Sequence, residues 1–525
     1  MTETKKYPMA EAVRQAYREG EDDDETLEPI VRADQGGTPV GRIQDGDYVI
    51  FYNIRGEREV ELTSAFVDPD FPHFPTKDMD VHFATMIEYA QDLPVKLAFP
   101  PQGEIHNTLS EVVSDHGMKQ LKVTESEKEI HVSYFLNGKR EEPFPGEVYR
   151  SVPSPEVADY TKTPEMSAKA VADEVIDALH DPSFELIIVN FVNVDVVGHI
   201  EDREAVLKAV EEVDRRVGEV VAAAQAEGVT PIVTADHGTV ESWLYPDGMV
   251  DTGHTDSRVP LIVADPELKS VALQDGDALT DVAPTVLHLL GLPEPEEMEG
   301  RSLLPASVAR GGRRVLLVIA DGWGARDEAY GNMIMEAETP VMDDLQASWP
   351  CTRLQAAGEA VGMPAGTVGN SESGHTHIGS GRRILADRVR INRAIEDGSF
   401  FENEAFRWAM QGSIADGTRL HLLGIVSFYS SHGSVDHLNR LIEMAAREGV
   451  QDLFHHGMLG RRGEREGSGA HYIEGVEKEM ERVGVGTQAS VIGRFWSMDR
   501  EENWDLIEKS YRWLVEGKGR LVKTD

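Results

Sequence analysis

The chain has one cysteine, Cys351, in 525 residues. No intramolecular disulfide can form, and a reducing compartment is the default for a protein so poor in thiols. Long apolar runs are missing as well: no window approaches the roughly 18 consecutive apolar residues that a membrane span requires. The opening residues, MTETKKYPMAEAV, hold no apolar core of signal-peptide length. A cytoplasmic protein with no membrane partner is therefore the expectation. Cations are scarce, 51 Lys and Arg against 93 Asp and Glu, leaving a formal charge of −42. So negative a surface repels nucleic acid and anionic lipid, and neither is an expected partner. Low-complexity tracts and short repeats are also absent.

What is present is ordinary for a folded protein: 40% hydrophobic and 27% charged residues, in a chain long enough for two to four domains. Four apolar runs end in polar or glycine residues: FELIIVNFVN (184–193), VTPIVTADHG (229–238), VPLIVAD (259–265) and RRVLLVIADGWG (313–324). Buried parallel strands read this way when a site lies at their carboxyl ends. Between them lie amphipathic segments such as 202–228, with apolar residues at helical spacing. The expected class is α/β with a largely parallel sheet. A second α/β block spans 416–525, with strands in RLHLLGIVSF, VQDLFHHGML and ASVIGRFWSM, and GDYVIFYNIRGERE (46–59) adds another strand and a polar turn. The region near 300–313 reads as a joint, and the acidic run 19–29 as a solvated helix end or loop.

The octet VGNSESGH (368–375) places Ser371 among glycines. Such a cluster makes a capped turn, with Asn370 or Ser371 opening a helix, and it also lets backbone approach a ligand. The strand ends supply the ligand chemistry. Asp195 precedes His199 by four residues, Asp236 and His237 are adjacent, His254 sits in DTGHT, and Asp321 follows an apolar strand directly. Any one of these alone reads as a cap or a structural histidine. Three Asp and three His after separate strands converge on one sheet edge. Mixed carboxylate and imidazole suits Mn²⁺ or Zn²⁺, and six ligands suit two ions. A metal-bound serine hydroxyl becomes a nucleophile, a role for which Ser371 is well placed.

With these residues in hand, LVIADGWGARDEAYGN, GEAVGMPAGTVGNSESGHTHIGSGR, NVDVVGH, TADHG, YNIRGER and GRFWSMDR resemble the cofactor-independent phosphoglycerate mutases of the alkaline phosphatase superfamily. The order differs from the family's: EMEGRSLL, which closes the family's chains, here runs into RRVLLVIADGWG. The resemblance implies a circular permutant of two α/β domains, with the new termini inside a smaller transferase-like domain. That domain is then split into 1–97 and 389–525, around a continuous alkaline-phosphatase-like, metal-binding domain at 98–388. It further implies one metal on Asp195, His199 and His254. A second would be held by Asp236, His237, Asp321 and Ser371, with Ser371 carrying a transient phosphoryl group. Arg55, Arg58, Lys128, Arg462, Arg494 and Arg500 match the family's cations for a small anionic phospho-substrate, and His432 matches its substrate histidine. A monomer is expected.

Two loops depart from the family. Where it has SDGGVHSH, this chain has SFYSSHGS (427–434), so an aspartate becomes Phe428 and two glycines become Tyr429 and Ser430. Where it has LDGRDV, this chain has LGRRGE (459–464), which puts Gly460 and Gly463 in place of aspartates. A glycine at 463 cannot carry a proton. Either Glu464, Glu466 or a metal-bound hydroxide serves instead, or the acid is not phosphoglycerate but a relative such as a phosphonate. Authentic 2-/3-phosphoglycerate mutase activity and simple phosphomonoester hydrolysis are the alternatives.

Overall fold

The computed structural model describes residues 7–21, 23–157, 159–428, 430–460 and 467–523. Fifteen strands run through them: β1 (Ile30–Ala33), β2 (Tyr48–Phe51), β3 (His82–Ile87), β4 (Lys96–Phe99), β5 (Lys119–Glu125), β6 (Glu147–Val152), β7 (Phe184–Phe191), β8 (Val229–Thr234), β9 (Val259–Val263), β10 (Arg314–Ala320), β11 (Cys351–Leu354), β12 (Leu420–Ile425), β13 (Leu453–Leu459), β14 (Thr487–Gly493) and β15 (Arg520–Lys523). The chain divides into two compact units, one made of Met1–Pro101 with Arg390–Asp525, the other of Gln102–Val389.

The central unit, Gln102–Val389, carries a seven-stranded sheet in the order β11-β9-β8-β10-β7-β5-β6. Strands β6, β5, β7, β10 and β8 are parallel. β10 lies between β7 and β8, and all six residues of β8 are buried, the pattern of a strand covered on both faces. The amphipathic run forms the helix Arg203–Ala226, capped by Asp202, whose side chain accepts from Ala205 N–H. VPLIVAD forms β9, but it runs antiparallel to β8 rather than parallel. The connection between Thr234 and Val259 carries a short 3₁₀ turn but no crossover helix to bring the chain back to the amino edge, so β9 starts at the end of the sheet where β8 stops. Within the segment near 300–313, Leu303 and Leu304 are buried and Leu303 O accepts Gln274 N–H at 2.8 Å, while Ala306, Ser307, Ala309, Arg310 and Gly312 are exposed.

The other unit carries an eight-stranded sheet, order β15-β1-β14-β13-β12-β2-β3-β4. The run from β14 to β4 is parallel, and β1 lies antiparallel to β14 and parallel to β15. Strands from both ends of the chain therefore interleave in one sheet. The acidic run 19–29 is not wholly solvated. Asp24 is buried, accepts from Tyr17 OH and from Gly469 N–H, and burial pushes its carboxyl up. Among the described residues, no helix is long and apolar enough to cross a membrane.

Candidate active site

In the central unit the carboxyl ends of β7, β10 and β8 deliver the acidic and imidazole side chains. β7 leads into the helix Asn193–Gly198, which carries Asp195 with His199 at its C-cap. β8 runs into Asp236 and His237, and β10 into Asp321. Ser371 is the first residue of the helix Ser371–Ser380, which Asn370 caps by accepting Ser373 N–H at 2.8 Å. Capping and presentation are thus one feature. The flanking glycines are sterically required: a Cβ on Gly374 would lie 2.5 Å from Asp236 O, and one on Gly369 would lie 2.3 Å from Ala356 O.

Ser371 Oγ accepts from Lys128 Nζ at 2.6 Å and lies 2.9 Å from His237 Nε2. Lys128 Nζ also reaches Asp195 at 2.7 Å and Asp321 at 2.9 Å, so this cation joins the carboxylate cluster. Three donor groups form: Asp195 with His199 and His254, Asp195 with His237 and Asp321, and Asp236 with Asp321 and His375. The tautomers are set by backbone carbonyls, which can only accept. Nδ1–H of His199 donates to Thr252 O at 2.6 Å, that of His237 to Gly238 O at 3.2 Å, and that of His254 to Gly369 O at 2.9 Å. The Nε2 atoms of His199 and His254 then face each other at 3.2 Å, with Asp195 Oδ1 at 3.2 and 3.0 Å.

Either an extra proton or a cation must sit among atoms so arranged. Asp236 Oδ2 is buried and accepts no hydrogen bond, and Asp195 and Asp321 share one ammonium. The donor set fits a divalent metal centre. The electrostatics agree. Burial opposes the charge on Lys128, but Asp321, Asp195 and Asp236 outweigh it and hold the ammonium above its usual range. Burial also works against ionised Asp195, which His199, His254 and Lys128 nonetheless keep well below the usual carboxylate range. Burial, with Asp236 beside it, pushes Asp321 up. His375 Nδ1–H donates to Ser371 O at 2.9 Å with Asp236 Oδ2 at 3.3 Å, and Nε2 accepts from Asn190, which also donates to Asp321.

Residue patterns alone did not single out Asn190, Glu241, Thr239 or Thr255. Buried Glu241 accepts from Thr239 N–H at 2.9 Å and from Thr255 Oγ, tying the turns that bear His237 and His254. Its only sequence signal is a charged residue three positions past the polar end of the apolar run 229–238.

In the other unit, the carboxyl edge gathers cations. Arg55 and Arg500 share Glu57 at 2.8 and 2.9 Å, Arg58 donates to Met498 O at 3.0 Å, and Arg494 lies 3.5 Å from Glu25. His432 Nδ1 lies 3.2 Å from buried Glu59. Arg462, Gly463, Glu464 and Glu466, like Tyr429, lie outside the described residues.

A family model described as the metalloenzyme superfamily matches residues 27–294, and one described as the BPG-independent PGAM N-terminus matches residues 391–525. Relatives named 2,3-bisphosphoglycerate-independent phosphoglycerate mutase include those of Moorella thermoacetica, 43% identical over 56% of this chain and 57% of its own, and Thermomicrobium roseum, 43% identical over 59% and 60%. The matched part spans little more than half the length of those relatives. The crystal structure of Leishmania mexicana phosphoglycerate mutase at low cobalt concentration aligns over 52% of this chain and 53% of its own, with 31% identity and a TM-score of 0.39. The chain belongs to the metalloenzyme superfamily and, within it, to the cofactor-independent phosphoglycerate mutase family.

Proposed function

We propose that this protein moves a phosphoryl group within a small phosphorylated hydroxy acid through Ser371, as a phosphoglycerate mutase does. The observation that carries the reading is Ser371 Oγ at a helix N-terminus, 2.6 Å from Lys128 Nζ and 2.9 Å from His237 Nε2, beside the carboxylate and imidazole clusters. Asp195, His199 and His254 would hold one divalent ion. Asp236, His237, Asp321 and Ser371 would hold the other, with Mn²⁺ the best match to the mixed donors. Bound there, such ions supply Lewis acidity toward phosphoryl oxygens and acidify the serine hydroxyl.

The chain's own groups do the rest. Ser371 Oγ forms a bond to phosphorus as the substrate's phosphorus–oxygen bond breaks, and the reverse step sets the phosphoryl group on the acid's other hydroxyl. Lys128 donates to Oγ and neutralises charge that would build up beside Asp195 and Asp321. The free N–H groups at the start of the helix Ser371–Ser380 favour an anion at that point. We assign the acid's carboxylate and phosphate to Arg55, Arg58, Arg462, Arg494 and Arg500, whose forked guanidinium groups suit both. His432 is the further group assigned to the substrate. The relatives carry the name phosphoglycerate mutase, and nothing in them favours a different acid.

We also read the chain as a circular permutant. The module described as the family's N-terminus matches the carboxyl end of this chain, and one unit draws on both ends of the sequence. A colinear match that stops near 60% of its relatives' length is what a cut and rejoined order produces. The test of function is direct. Mn²⁺-loaded protein given 3-phosphoglycerate, followed by phosphorus NMR, should accumulate the 2-isomer with no inorganic phosphate. Net phosphate release would make the protein a phosphatase, and no change in either signal would end the reading.

A further inference from the structure

The carboxyl edge of the eight-stranded sheet holds a buried acid that is aimed at an imidazole rather than at a guanidinium. Glu59, fully buried, lies just before the helix Val60–Val67. Its Oε1 accepts from His432 Nδ1–H at 3.2 Å and from Asn53 Nδ2 at 2.7 Å, and its Oε2 accepts the main-chain N–H of Arg58 at 3.1 Å. Asn53 cannot flip, because its Oδ1 accepts Ile425 N–H at 2.8 Å from β12. The surrounding backbone holds the imidazole as firmly. Ile54 N–H donates to His432 O at 2.7 Å, and His432 N–H to Ser430 Oγ at 3.1 Å.

The arginines do not claim this carboxylate. Glu57 serves Arg55 and Arg500, Glu25 lies by Arg494, and the Arg58 guanidinium takes Met498 O. Two of those contacts, Arg58 to Met498 and Arg500 to Glu57, also join the segment that bears Glu59 to residues 498–500. Among the described residues, His432 Nε2 has no hydrogen-bond partner. A buried carboxylate on one ring nitrogen, with the other nitrogen uncommitted, is the arrangement that turns an imidazole into an acid–base group.

We propose that Glu59 is a positioning residue that fixes His432 with its proton on Nδ1, and that His432 Nε2 takes and returns the proton of the substrate's hydroxyl. The proposal rests on the reading that the substrate is a phosphorylated hydroxy acid. One proton moves: the hydroxyl O–H bond breaks as that oxygen becomes nucleophilic, and an Nε2–H bond forms. The resulting imidazolium faces the negative charge of Glu59. In the reverse direction the proton goes back to the departing oxygen, and the Nδ1 proton never leaves.

Two measurements on the full chain decide it. In protein labelled with ¹⁵N-histidine, the His432 signals, assigned by their loss in His432→Gln, should report the Nδ1–H tautomer; an Nε2–H tautomer overturns the proposal without any enzyme assay. Glu59→Gln should lower kcat by about 10² to 10⁴ with KM within threefold of the parent, the range for a lost acid–base function. Glu59→Asp should recover part of that rate. A Glu59→Gln kcat within threefold of the parent, in a variant whose circular dichroism is unchanged, overturns the role. If the unmodified enzyme isomerises no phosphorylated hydroxy acid, the functional reading has failed instead, and the tautomer still decides whether Glu59 orients His432.

Discussion

Each unit's sheet is parallel over five or six strands, and the two end in opposite charge. The edge of the central unit collects Asp195, Asp236 and Asp321 around a single ammonium, with imidazole nitrogens turned inward by backbone carbonyls. The edge of the other unit collects Arg55, Arg58, Arg494 and Arg500. Both follow the rule that open α/β sheets place their sites beyond the strands' carboxyl ends. The difference lies in what each can bind. An excess of buried negative charge wants cations, and a fan of guanidinium groups wants an anion. On the proposed reading, phosphoryl transfer belongs to the first edge, and substrate grip with proton transfer to the second.

The largest effect should come from the anionic edge. Ser371→Ala removes the hydroxyl without disturbing the Asn370 cap, and turnover should fall by more than about a thousandfold while the circular dichroism stays that of the parent. Near-normal turnover would break the division of labour at its centre. Chelation should likewise silence the protein, and Mn²⁺ should restore activity better than Ca²⁺, which has little taste for imidazole. Equal rescue by Ca²⁺ would mean that His199, His237 and His254 are not ligands. On the cationic edge the effect should be smaller and of another kind. Arg58→Met should raise KM by about 10- to 100-fold with kcat nearly kept, the signature of lost uniform binding. A collapse of kcat alone would show that Arg58 itself, and not only His432, takes part in the chemistry.

The smallest contrast concerns acid. Each unit buries a histidine whose burial disfavours its charged form. Burial pushes His455, held between Gln488 and Tyr52, down to about 4, and does the same to His377, held by Ser373 O and Ile384 N–H. A depressed folded value contributes stability that is present above the unfolded value near 6.5 and is lost as pH falls toward 4. Each should cost on the order of 3 kcal/mol by pH 4, at about 1.4 kcal/mol per pH unit. Urea midpoints should therefore drop between pH 7 and 4.5, with a smaller drop in His455→Gln. A midpoint flat over that range would remove both histidines as acid sensors.

Much of the metal-type edge was legible because each strand carries its own signature. The apolar runs at 184–193, 229–238 and 313–324 become β7, β8 and β10, and their polar ends meet in space. Lys128 was read as a substrate cation, and nothing local marks its place among carboxylates. Lys122, six residues earlier, is as deeply buried, but it has Glu147 at 2.7 Å as its one carboxylate, and burial lowers its ammonium below the usual range. Two lysines in one strand-and-turn segment thus differ only in how many acids distant strands bring to them. Glu59, Glu241 and Asn190 were invisible for the same reason: their meaning comes from partners remote in sequence. The direction of β9 was missed because an apolar run carries no sign of which edge it starts from.

The interleaving of β1 and β2 with β12 to β15 has a consequence during synthesis. The central unit is continuous and can close as soon as it has left the ribosome. The eight-stranded sheet cannot. Tyr48–Phe51 pairs with Leu420–Leu423, so the early strands emerge and wait for a partner more than 360 residues downstream. At about 5–20 residues per second that wait lasts roughly 20–75 s. For that time β2 can pair with β3, but its other edge and both edges of β1 stand open to chaperones and to other nascent chains. The chain's order of synthesis thus leaves the cation-bearing sheet as the slower and more aggregation-prone half to assemble.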